Sequence, residues 1–130
     1  MQRVLLLKGG LAARDAQEIL GRLAMPRVLA CKAINVSRSA MNAKSRCDEA
    51  LPLAQSERVL GLAKLVGQVQ HMAQESGASG GFNAWIWFSG WVVEPLPALG
   101  GTRPFELLDT IEGQSLIAKC LNQIQTGAYA

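Results

Sequence analysis

Pro97-Ala98-Leu99-Gly100-Gly101-Thr102-Arg103-Pro104-Phe105-Glu106-Leu107-Leu108-Asp109-Thr110 is the stretch on which the reading of this chain turns. It reads as a tight turn feeding a short helix. Gly100-Gly101 admits backbone conformations closed to residues that carry a Cβ. Pro104 has the fixed φ of a first helical turn. Leu107 and Leu108 give the short helix an apolar side, and Thr110 offers a hydroxyl to cap the helix that follows. On these features alone the stretch is a connection between helices.

Downstream, the last helix is predicted over Ile111 to Gln125. Ile117, Cys120, Leu121 and Ile124 recur at helical spacing, so one face is buried. Gly127 fits a C-cap, and the tail Ala128-Tyr129-Ala130 adds an aromatic. Glu106, Asp109 and Glu112 read as charges near helix N-termini, where the helix dipole favours them. Upstream, the run Phe82 to Val93 suits a buried strand as well as a helix. Its twelve residues exceed most strands and no partner strand is evident, so a helix is expected. Trp87, Phe88, Trp91 and Val92 then share a face, while Trp85 and Ile86 fall elsewhere and leave apolar area for a partner. Ser89-Gly90 is a weak point in that helix. Glu75 to Gly81 is small, polar and flexible. It divides the chain into residues 1–76 and 77–130.

In the first segment a long helix is expected from Gln55 to Gln74, with Val59, Leu62, Ala63, Val66, Val69 and Met72 as its apolar stripe. Leu60 and Leu65 widen the stripe, so this helix should pack against both segments. Gly61 and Gly67 weaken it but permit close helix approach. Cys47 to Ala54 reads as a loop. Before it, Ser37 is placed to cap a helix over Arg38 to Arg46. A short helix from Pro26 precedes that, with Val28, Leu29 and Ala33 as its apolar face, and Asn35-Val36 forms the turn. Two short helices joined this way match the helix-turn-helix plan. Ala12 to Ala24 reads as a first helix, and Val4 to Leu7 as either a short strand or a helix start.

The second helix of that pair offers Ser37, Arg38, Ser39, Asn42, Lys44 and Arg46, with Ala40 and Met41 left to do the packing. Arg and Lys pair with phosphates or guanine edges, Asn with adenine, and Ser with the backbone. Met25 to Arg46 holds five basic residues and no acidic one. The same composition also describes a plain solvated surface. Charge is unevenly spread: residues 1–65 carry eleven Lys/Arg against five Asp/Glu (+6), and residues 66–130 carry two against five (−3). A basic half is what a polyanion binder needs.

The remaining features mostly exclude. Three scattered cysteines form neither a disulfide framework nor a zinc site, which fits a reducing cytoplasm. Val4 to Leu7 is too short for a signal peptide or membrane span. There is no phosphate loop, dinucleotide fingerprint or nucleophile elbow. His71, the only histidine, has no nucleophile or acid at a recognisable spacing. The chain is therefore expected to be non-enzymatic, without cofactor or metal.

Pro97-Ala98-Leu99-Gly100-Gly101, Arg103-Pro104, Glu106 to Thr110 and Glu112-Gly113, with Trp87 and Trp91 upstream, together resemble the Xre/MbcA/ParS-type antitoxins. These are small proteins paired with toxins that often carry a RES domain. The resemblance is strongest from Phe82 to Ala130. It implies an all-α fold, with an Xre-like helix-turn-helix unit over 1–76 that binds operator DNA as a homodimer. It also implies a small helical toxin-binding domain over 77–130. A RES-type toxin consumes NAD, the antitoxin blocks it sterically, and the complex represses its own operon. By resemblance, toxin contact falls on Gly100, Gly101, Arg103, Pro104, Glu106, Tyr129 and Ala130, the tail being suited to plug a cationic nucleotide pocket. This chain has Leu51-Pro52-Leu53 where the family has Leu-Ser-Pro, so its long helix lacks that Ser cap. A stand-alone helix-turn-helix repressor, and a helical interaction protein with no DNA role, are the competing readings.

Overall fold

A computed structural model describes residues 9–77 and 80–127. The Val4–Leu7 run, Ala78-Ser79 of the predicted linker, and the tail Ala128-Tyr129-Ala130 lie outside the described residues. Six helices are described in full: α1 Ala13–Leu20, α2 Arg27–Ala33, α3 Arg38–Arg46, α4 Leu53–Glu75, α5 Ala84–Trp91 and α6 Ile111–Thr126. Two 3₁₀ turns, Pro97–Leu99 and Pro104–Leu107, join α5 to α6. The described residues contain no strand, only one isolated bridge between Ala12 and Ala50. The chain is all-α, as expected.

α4 is the spine. Its stripe of Val59, Leu62, Leu65, Val66, Val69 and Met72 is buried. It packs on α1, α5 and α6, because an apolar arc this wide needs partners on several sides. One hydrophobic core results, running through both segments. Leu20, Ile34, Met41, Leu62, Phe88, Leu108, Ile117 and Leu121 are all fully buried in it.

Several local expectations need correction. α1 ends at Leu20 rather than Ala24, and a turn carries the buried Leu23 into the core. On α2 the buried face is Ala30, Cys31, Ala33 and Ile34, while Val28 is 56% exposed and Leu29 also faces out. Small side chains win that face because α2 is wedged among α1, α3 and the Pro104–Leu107 turn. In α3 Ala40 is exposed, and Met41 alone is buried. α4 begins at Leu53 without a side-chain cap, in keeping with the missing Ser. The short helix after Pro104 is 3₁₀, closed by Glu106 N–H to the Arg103 carbonyl at 3.0 Å.

Buried polar side chains tie the two segments together. Ser89, the expected weak point of α5, accepts a hydrogen bond from Ala24 N–H at 2.9 Å and donates to the Trp85 carbonyl at 2.7 Å. Gln114 on α6 donates through Nε2 to the carbonyls of Arg58 on α4 and Leu108, each at 3.0 Å. Its amide lies directly over Gly61, where a Cβ would overlap Gln114 Oε1. Gln68 adds a second α4–α6 bond, Nε2 to the Ala118 carbonyl at 3.0 Å. Ser56, fully buried, accepts from Leu11 N–H at 2.8 Å and anchors the chain entering α1.

Two helix glycines should therefore respond oppositely to alanine. Gly67→Ala fills open space and should stabilise by about 1 kcal/mol. Gly61→Ala should destabilise by about 1–3 kcal/mol by displacing the Gln114 amide. Urea denaturation of both variants measures the contrast. By the same method, Ser89→Ala should cost about 1–3 kcal/mol, since it strands the Ala24 N–H.

Candidate functional site

Two surfaces carry the residues singled out in the sequence. The first is built on α2 and α3. α2 stops because Asn35 takes a left-handed conformation (φ 58). Asn35 N–H bonds the Lys32 carbonyl and Val36 N–H the Cys31 carbonyl, both at 3.0 Å. These paired bonds satisfy the helix's last carbonyls in a Schellman turn. Ser37 then caps α3, its Oγ accepting from Ala40 N–H at 3.1 Å. A second left-handed residue, Asp48 (φ 56), ends α3 in the same way. The sequence reading did not identify it, although Asp is among the few residues that tolerate this conformation.

α3 places the six expected polar residues on one short helix and its cap, but they are not equally available. Ser37 is committed to the cap. Asn42 accepts a hydrogen bond from Gln17 Nε2 on α1 at 2.6 Å. Lys44 Nζ is 3.7 Å from Glu49. Arg38, Ser39 and Arg46 are exposed, with no ion pair or side-chain hydrogen bond among the described residues. Cys31 is buried behind them, and that burial pushes its thiol pKa up despite the nearby Arg27 and Arg38. It stays a neutral packing group.

The second surface joins α5 to the turns after it. Asn83 caps α5 by accepting from Ile86 N–H at 3.1 Å, a cap the sequence reading missed. Phe88 and Val92 are fully buried. Trp87 stacks on Trp91 with ring centroids 5.7 Å apart. Ile86 (59% exposed), Trp87 and Val93 face outward. Trp85 turns the other way, its ring 5.9 Å from the Arg22 guanidinium after α1. Trp87 also walls a groove of about 300 Å³ with Val69, Met72, Phe82 and Ile124.

The turn itself is rigid for its size. Leu96 N–H bonds the Thr102 carbonyl at 3.2 Å, and Gly101 N–H returns to the Leu96 carbonyl at 3.0 Å. Gly100 (φ 67) and Gly101 (φ 87) are both left-handed, which explains the pair of glycines. Phe105 N–H bonds the Val92 carbonyl at 2.9 Å, so the second turn is pinned to the end of α5. Arg103 pairs with Glu106 at the surface and lies 5.8 Å from the Phe105 ring. Gly100, Gly101, Arg103 and Glu106 are exposed, whereas Pro104 is fully buried beneath them and can act only by holding the turn. Thr110 caps α6, accepting from Gly113 N–H at 2.9 Å. Tyr129 and Ala130 lie outside the described residues. His71 is exposed, 3.3 Å from Glu75 on the outer face of α4.

A family profile described as the antitoxin Xre/MbcA/ParS C-terminal toxin-binding domain matches residues 87–127. Its span runs from the stacked Trp87 through both turns to the glycine that ends α6. The chain is also 44% identical, over all 130 of its residues and 82% of the relative's length, to a protein of Sphingobium sp. (strain YBL2) named Prs ADP-ribosylating antitoxin. Trp87, Val93 and the double-glycine turn thus fall in a toxin-binding domain, and the chain belongs to the Xre/MbcA/ParS family of antitoxins.

Proposed function

We propose that this antitoxin neutralises its toxin sterically through residues 77–130 and represses its own operon through residues 1–76, as a homodimer in the cytoplasm. The toxin half rests on Ile86, Trp87 and Val93 exposed on α5 and its end, followed by a Leu96–Glu106 turn that Phe105 N–H ties to the Val92 carbonyl. Apolar side chains held outward on a rigid element suit a tight protein interface, since little ordering entropy remains to be lost. Gly100, Gly101, Arg103 and Glu106 form its polar edge, and Tyr129 and Ala130 are further toxin contacts on the family resemblance. The partner is a RES-type, NAD-consuming toxin. ADP-ribosyl transfer consumes NAD, so the relative's name is consistent with that chemistry.

The operator half rests on Arg38, Ser39 and Arg46, exposed on the second helix of a helix-turn-helix within the basic segment. Lys44 and Asn42 would have to leave Glu49 and Gln17 to join them. Two copies would meet half-sites about one helical turn apart. No helix among the described residues is long and apolar enough to cross a membrane.

Ile86→Ser combined with Val93→Ser should change stability by less than about 1 kcal/mol. It should weaken binding to the toxin encoded beside this gene by at least about ten-fold, measured by calorimetry on the purified pair. Operator affinity should fall steeply with salt, and Arg46→Ala should reduce the slope of log K against log salt by about one. Fluorescence anisotropy with the duplex upstream of this gene reads that slope, and a flat salt response would remove the DNA role.

A further inference from the structure

A single line of hydrogen bonds crosses the molecule from the toxin-binding domain to the helix-turn-helix. Leu108 N–H closes the Pro104–Leu107 turn on the Phe105 carbonyl at 3.3 Å, and the Leu108 carbonyl accepts from Gln114 Nε2 at 3.0 Å. The same amide nitrogen donates to the Arg58 carbonyl on α4 at 3.0 Å. Arg58 in turn reaches out with Nε–H to the Ile34 carbonyl at 2.8 Å. Ile34 is the C-cap of α2, one residue before the left-handed Asn35, and its carbonyl has no later turn of α2 to bond. Arg58 supplies the missing donor.

We propose that Gln114, from within the toxin-binding domain, and Arg58 on α4 are positioning residues that hold the α2–α3 turn in register. On the operator-binding reading above, DNA affinity then depends on a buried amide of α6 that packs against α4. Gln114 is only 5% exposed and can donate both protons because Gly61 leaves room for its amide. Any other side chain at 114 that lacks two donors releases the Arg58 backbone and the Leu108 turn at once. The loosening passes to Ile34 because Arg58 is the shared residue: its carbonyl faces α6 while its side chain faces α2.

The test compares two charge-neutral variants of the whole chain. Gln114→Met keeps the side-chain length and removes both donors. Gln68→Met removes a different α4–α6 side-chain bond, which lies off the path. Native-state amide exchange is read at Val36 and Ala40, whose N–H groups close the α2–α3 turn and the α3 cap. Both variants are compared at temperatures equally far below their unfolding midpoints. Gln114→Met should speed exchange at both amides by about ten-fold, and Gln68→Met should leave them near wild type. Equal acceleration in both variants, or none in Gln114→Met, overturns the proposal. Anisotropy with the upstream duplex is measured alongside. If exchange responds as expected while wild type shows no salt-dependent DNA binding, the positioning role stands and the operator reading fails. If wild type binds and Gln114→Met binds about ten-fold more weakly, both stand.

Discussion

The close approach of α6 to α4 at Gly61 is the constraint on which the rest of the molecule depends. A glycine there lets the Gln114 amide lie flat against α4 and donate to two carbonyls that are 50 residues apart in the chain. A buried amide that satisfies both donors favours one arrangement of its surroundings, because every alternative leaves a polar group unpaired in a poorly solvated site. The apolar contacts around it, Leu62, Leu65, Ile117 and Leu121, supply burial without choosing a unique register. Gln114 selects the register, and the placement of the Pro104–Leu107 turn, whose Leu108 carbonyl it holds, follows from it.

The two functional segments are accordingly not two independent bodies joined by a linker. Ser89 takes the Ala24 N–H, Arg22 sits over Trp85, and α2 touches the Pro104–Leu107 turn. Each is a contact between a residue before the predicted boundary and one after it. α4 belongs to both sides, which is why its apolar arc is so wide. A chain of this size builds a better core by sharing it than by dividing it.

Much of this was legible in the sequence, for identifiable reasons. The Ile117–Ile124 periodicity placed α6, Ser37 placed the start of α3, and the proline and glycine pairs placed the turns. These signals are local. The misses were of two kinds. On α2 hydrophobicity pointed to Val28, Leu29 and Ala33, of which only Ala33 is buried, beside Ala30 and Cys31. And Ser89, read as a weak point, and Ser56 and Gln114, not singled out, are buried with partners that lie 65, 45 and 56 residues away. No periodicity announces such a partner. The candidate contact residues from 100 to 106 were located by family wording. The structure adds that Pro104 is beneath the surface and that Ile86 and Val93 are exposed.

The central claim is that the toxin occupies the α5 face and the turn after it, leaving the second helix of the helix-turn-helix free. Amide exchange of the chain alone and in complex with its co-expressed toxin tests this most directly. The account predicts new protection across residues 86–106 and unchanged exchange over 38–46. Protection over 38–46 with none across 86–106 would contradict it.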